Sequence, residues 1–149
     1  MILDSASSLG ISLAVLAVFA YLWPALRVRS QGGFAARIWV GLAWLAHGAT
    51  LVLAFAEVPA RFGFAPALSV TAWLVLAAYM VESQFFPQLR ARWALASLGA
   101  LAVISAWVFP GKALAMDVSP WLPLHWALGI ASYGMFAAAV VHAALMTHA

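Results

Sequence analysis

The distribution of apolar residues along the chain predicts five long helices separated by short polar connections. The apolar segments cover about residues 7–26, 38–56, 66–82, 93–109 and 122–146. They lack the alternation of apolar and polar positions that is typical of a half-buried strand. An α-helix rises about 1.5 Å per residue, so about 20 apolar residues cover the ~30 Å hydrocarbon core of a bilayer. The pattern predicts an all-α transmembrane bundle of five spans in a single domain, residues 1–149.

The amino-acid composition favours the same class of protein. Hydrophobic residues make up 67% of the chain and charged residues 7%, and the mean hydropathy is +1.04. A water-soluble domain has about 25% charged residues. The seven basic residues are scattered over the connections, so they form no continuous basic surface for nucleic acid. We therefore expect the lipid bilayer as solvent and no nucleic-acid partner.

The basic residues predict the orientation of the chain. They are concentrated in the first and third connections: Arg27, Arg29, Arg37, Arg90 and Arg92. The second and fourth connections each carry one basic residue with an acidic one: Arg61 with Glu57, and Lys112 with Asp117. Arginine and lysine accumulate in cytoplasmic loops. We expect the N-terminus outside and the C-terminus in the cytoplasm.

Tryptophan and the small residues predict where the helices end and pack. Six tryptophans fall near predicted helix ends, where their rings prefer the headgroup level: Trp23, Trp39, Trp93, Trp107, Trp121 and Trp126. Trp44 and Trp73 lie deeper, and we interpret them as packing residues. Small residues spaced by four positions favour close packing of the last two helices: Ala96 with Ala100, Ala127 with Ala131, and Gly134 with Ala138.

Histidine is the main candidate for chemistry. The chain has no cysteine, which excludes thiolate ligands from this chain. No acidic residue falls near the middle of a predicted span, which argues against ion-coupled transport. His47 lies mid-way along the second helix, His125 opens the fifth helix, and His142 lies near its other end; His148 is close to the C-terminus. Imidazole is a common axial ligand of haem iron.

Two interpretations remain open for each helical histidine. His47 is either a metal ligand or a buried imidazole bonded to a neighbouring helix. His125 is either a metal ligand or an interfacial residue beside Trp121 and Trp126, and His142 is either a cofactor contact or a structural residue. His125 and His142 are 17 positions apart in the sequence, about 25 Å along a helix. These two histidines therefore cannot bind one iron.

One segment carries a family resemblance. Residues 120–141, PWLPLHWALGIASYGMFAAAVV, place a histidine at the start of a helix, then a Ser-Tyr pair and a run of small residues. This segment resembles the cytochrome c assembly family of membrane proteins (CcsA, HemX and YpjD-like proteins), and the histidine in the second span is similar to the HemX branch. The resemblance implies haem handling at the bacterial inner membrane. It implies His125 as the external axial ligand and His47 as an internal ligand, with Trp121 and Trp126 beside the porphyrin.

The family pattern also sets the expected partners and the alternatives. Haem-delivery members carry a Trp-rich external motif, a second external histidine and several further helices, so the chain looks like the N-terminal part of such a protein. The resemblance implies haem binding in cytochrome c biogenesis, which is a chaperone role and not an enzymatic one. Its partners would be other assembly proteins, apocytochrome c or a second copy of the chain. The alternatives are a HemX-like regulatory or scaffold membrane protein that binds no haem, and a small-solute channel or transporter.

Overall fold

Five helices and a short two-stranded sheet make up the part of the chain that the structure describes. The computed structural model describes residues 8–26, 33–57, 59–85, 92–114 and 121–147. The elements in order are α1 (Ser8–Leu26), α2 (Gly33–Ala56), β1 (Arg61–Phe62), α3 (Phe64–Phe85), α4 (Arg92–Val108), β2 (Lys112–Ala113) and α5 (Leu122–Thr147). The all-α prediction is confirmed. The largest difference in bounds is at α2, which begins at Gly33 instead of residue 38.

Several residues behind the orientation prediction lie outside the described residues. They are Arg27, Arg29, Arg90 and Asp117, and His148 also falls outside. The orientation of the chain therefore stays a prediction.

Two of the helices are long and apolar enough to cross a membrane by length and composition. They are the segments Phe34–Ala56 and Phe64–Phe85. The apolar parts of the other helices, within the described residues, are shorter: Ser8–Trp23, Trp93–Val108 and Leu128–Val140. Segments of 10–17 residues cover at most about 26 Å, less than the ~30 Å hydrocarbon core. Two helices, and not the five predicted, meet the criterion for a span.

The first four helices form a bundle, and α5 lies on its outside. α1 packs against α2 and α4, α3 packs against α4 and α2, and α5 packs against α3. Ala96 and Ala100 of α4 are almost fully buried, which confirms the predicted close packing of this helix. At Gly99, an added Cβ would lie 2.8 Å from the ring of Tyr21. Small residues thus allow α4 to approach α1 closely.

The packing of α5 is more limited than its small residues predict. Gly134 is buried, and an added Cβ there would lie 3.7 Å from the Leu74 side chain of α3. Large apolar side chains on other parts of α5 are exposed, among them Tyr133, Met135 and Phe136. Apolar surface of this extent is unusual on a monomeric soluble protein.

A small antiparallel sheet joins two connections at one end of the bundle. The strands β1 and β2 pair in the register Arg61↔Ala113 and Phe62↔Lys112. Gly111 precedes β2 with a φ of 83°, and a Cβ at this position would lie 2.3 Å from the Phe62 carbonyl oxygen. Glycine meets both requirements because it lacks a Cβ. The Phe62 ring stacks on Trp126 at 4.6 Å between centroids, so the sheet also contacts the start of α5.

Candidate ligand-binding site

A hydrogen-bonded row of three side chains crosses the interior of the bundle. The Tyr21 hydroxyl of α1 lies 3.2 Å from Nδ1 of His47 on α2. The other ring nitrogen of His47, Nε2, lies 2.8 Å from the Ser69 hydroxyl of α3. All three residues are at most 1% exposed. Polar groups in an apolar interior are costly unless they are bonded, and this row bonds both nitrogens of the imidazole.

This geometry bears on the role of His47. The sequence left open a metal ligand or a buried imidazole bonded to neighbouring helices. The structure places a protein partner on each ring nitrogen, so iron could bind Nε2 only by displacing Ser69. The arrangement is that of a bonded structural imidazole.

A cavity of about 340 Å³ adjoins the row on the side of Ser69. Residues from α1, α2, α3 and α4 line it, and most of them are apolar, for example Leu53, Val103 and Trp107. Ser69 and Thr50 add two hydroxyl groups to the lining. The Thr50 hydroxyl donates to the backbone carbonyl of His47 at 2.7 Å.

The cavity reaches the end of the bundle that carries the small sheet. Glu57, directly after α2, and Arg61, in β1, belong to its lining. Both residues are exposed, so they place one negative and one positive charge at this end of the cavity. An apolar cavity with few polar groups is the usual form of a small-molecule site.

His125 lies at the same end of the bundle but outside the cavity lining. It is the fourth residue of α5, its side chain is exposed, and its backbone N–H donates to the Trp121 carbonyl at 2.9 Å. Trp121 is 73% exposed. Trp126 is half-buried and stacks on Phe62.

His142 lies near the other end of α5, where it faces an acidic residue of α3. Its Nδ1 lies 3.9 Å from a carboxylate oxygen of Glu82, and both side chains are partly exposed. The sequence interpretation of His142 as a structural residue agrees with this pairing. The pair joins α5 to α3 in addition to the contact at Gly134.

The structure does not bring the predicted haem ligands into one site. His47 is enclosed by the bundle, His125 is exposed, and His142 pairs with Glu82. Within the described ranges, no cluster of three or more histidine, aspartate or glutamate side chains could hold a metal ion. The exposed imidazole of His125 suits a single axial ligand, and a second ligand would have to come from elsewhere.

Sequence reasoning missed the partners of His47. The sequence pattern singles out neither Tyr21 nor Ser69 as a partner of His47. The available signal was the cost of an imidazole in an apolar span, which requires bonded partners. That signal does not say which residues supply the bonds.

Comparisons with protein-family models, with curated proteins and with solved structures found no match to this chain.

Proposed function

We propose that this chain is a multi-pass protein of the bacterial inner membrane, with five spans and an external N-terminus. The support is the surface of the bundle. Large apolar side chains are exposed on each of the five helices, including Phe19, Leu45, Val81, Leu101 and Phe136. Such a surface is stable against lipid tails and unstable against water. The three shorter apolar helices would span by local thinning of the bilayer or with the help of flanking residues.

The function we propose is haem binding during cytochrome c assembly, with His125 as the external axial ligand. The observation that carries the proposal is the exposed imidazole at the first turn of α5, beside Trp121 and Trp126. In the part of the chain that the structure describes, no side-chain hydrogen bond occupies this ring. Haem would bind at the surface of the protein, because none of the histidines that the structure describes lines the cavity. An assembly protein, apocytochrome c or a second copy of the chain would supply the other ligand.

The test is haem titration of the purified protein in detergent, followed by absorption spectra of the oxidised and reduced forms. We expect a Soret band that His125→Ala removes or shifts, because the axial ligand sets the electronic environment of the iron. His142→Ala is the matched control, since this histidine lies on the same helix and is also partly exposed. Its spectrum should equal that of the unchanged protein. A Soret band that is unchanged in His125→Ala, or that changes equally in both variants, would contradict the assignment.

A second candidate function is a regulatory or scaffold membrane protein that binds no haem. The observation in its favour is that Tyr21 and Ser69 occupy both nitrogens of His47, so the deepest candidate ligand is already bonded. A purified protein that shows no Soret band on titration and still co-purifies with a membrane or cytoplasmic partner would favour this function over haem binding. A channel for small solutes has less support, because Thr71 and Ser97 donate their hydroxyls to their own helices.

A further inference from the structure

The donors and acceptors available in the row Tyr21–His47–Ser69 indicate which group donates in each of its two hydrogen bonds. The Tyr21 hydroxyl is fully buried, and in the described part of the chain its hydrogen-bond partner is Nδ1 of His47. A buried donor without an acceptor costs about 1–3 kcal/mol. Tyr21 therefore donates to Nδ1. A neutral imidazole carries its proton on the other nitrogen in that case, so Nε2–H donates to the Ser69 oxygen.

With these donors and acceptors, the hydroxyl proton of Ser69 is not used within the row, and Ser69 lines the cavity. The Ser69 oxygen accepts from Nε2, and the Ser69 proton has no acceptor among the described residues. Ser69 is 1% exposed and belongs to the cavity lining. Because Ser69 lines the cavity, a group inside the cavity can accept a hydrogen bond from this buried donor. The reverse direction would instead leave the unbonded proton on Tyr21, which is fully buried and does not belong to the lining of this cavity.

We propose that this cavity binds an uncharged, largely apolar molecule that presents a carbonyl oxygen to the Ser69 hydroxyl, of the size and type of a bicyclic quinone. The apolar lining excludes a charged ligand from the interior, since an ion would lose its hydration without compensation. The ligand needs an acceptor atom because Ser69 offers a donor, and a carbonyl oxygen is an acceptor that carries no charge and no proton of its own. This site is separate from the proposed haem ligand, as His125 does not line the cavity.

The size of the cavity supports a ligand with two fused rings. An engineered apolar cavity of about 150 Å³ takes up benzene. The cavity here measures about 340 Å³, roughly twice that volume, and it extends to the bundle end with Glu57 and Arg61. A flat bicyclic molecule that is soluble in lipid can therefore fit into this cavity, with its oxygen at Ser69.

The experiment compares two molecules of the same shape, menadione and methylnaphthalene, which differ in the two carbonyl oxygens. Binding to the purified full chain is measured by equilibrium dialysis in detergent, after subtraction of uptake by empty micelles. We expect Ser69→Ala to weaken menadione binding about 2- to 10-fold, the value of one net hydrogen bond. It should leave methylnaphthalene unchanged. Ser97→Ala removes a hydroxyl that bonds to its own helix and should change neither affinity. Ala106→Trp takes up part of the cavity and should weaken the binding of both molecules.

Other outcomes would overturn the proposal. It fails if the unchanged protein binds no menadione above the empty micelles, if Ser69→Ala binds menadione as well as the unchanged protein does, or if Ala106→Trp has no effect. If Ser69→Ala does not fold, Ser69→Cys replaces the hydroxyl by a weaker donor and carries the same expectation. The infrared carbonyl stretch of bound menadione should move to lower frequency in the unchanged protein, and an unshifted band contradicts the contact. These measurements do not depend on haem binding, so a negative haem titration would not change the expected results.

Discussion

Trp44 of α2 and Trp73 of α3 are joined by two reciprocal hydrogen bonds and by stacking of their rings. Each indole Nε1–H donates to the backbone carbonyl of the other residue at 3.0 Å. The rings are nearly parallel, with an angle of 8° and 4.6 Å between centroids. Helices in lipid associate through close packing and polar contacts, because the lipid tails are as apolar as the helix surfaces and the hydrophobic effect does not drive the helices together. The predicted packing role of these two tryptophans is confirmed, and the pair links α2 to α3.

Loss of one indole donor should destabilise the bundle. Trp73→Phe removes the hydrogen bond to Trp44, worth about 1 kcal/mol, and weakens a ring contact worth about 0.5–1.5 kcal/mol. The double variant with Trp44→Phe should lose less than the sum of the single losses, since both residues act in one contact. Thermal unfolding in detergent measures these changes. Trp93→Phe is the control, because Trp93 is 59% exposed. Additive losses would show that the two rings act independently.

A glycine on α2 makes room for the tryptophan pair. An added Cβ at Gly48 would lie 3.1 Å from Nε1 of Trp73, so Gly48→Ala should push the ring and lengthen its hydrogen bond, at a cost of about 1–2 kcal/mol. Gly41 on the same helix has no atom within 4 Å of such a Cβ. Gly41→Ala should be neutral or stabilising by up to about 1 kcal/mol. Unfolding temperatures of the two variants test this, and equal values would be incompatible with the close contact.

The sheet at the end of the bundle should depend on Gly111. Gly111→Ala would place a side chain on a residue with left-handed backbone angles and would bring its Cβ too close to the Phe62 carbonyl. Together these effects cost about 1–3 kcal/mol. We expect the sheet to open. Hydrogen exchange at the Leu114 amide, which donates to the Ala60 carbonyl at 2.8 Å, should become faster. Gly129→Ala serves as the control because its added Cβ meets open space. Unchanged exchange at Leu114 would mean that the sheet tolerates the side chain.

The assigned direction of the buried row can be measured without any ligand. Nitrogen NMR of histidine-labelled protein distinguishes a proton on Nε2 from one on Nδ1, and we expect the Nε2–H form for His47. The reason is that the Tyr21 hydroxyl needs Nδ1 as its acceptor. His47→Gln identifies the signal by its loss, and His125→Gln should leave it in place. An Nδ1–H form would reverse the row, so that Ser69 donates to His47 and offers no proton to the cavity.

The sequence alone determined the helices and the candidate residues. Helical hydrogen bonds join residues four apart, so a long apolar segment contains most of the information that its own structure requires. This is why the predicted segments and the observed helices agree closely, and why His47 could be recognised as an imidazole that needs partners. The exposed position of His125 at the start of α5 also follows from its place beside the connection.

Tertiary structure decided which residues meet. Tyr21, His47 and Ser69 lie on three helices, and their contact depends on the depth and rotation of each helix against the others. The pairing of β1 with β2 joins residues 61 and 113, and the cavity is defined by four helices at once. These arrangements result from the fit of small residues such as Ala96 and Gly99 against larger ones across the bundle. A local apolar pattern fixes a helix, but the relative positions of helices depend on contacts between distant parts of the chain.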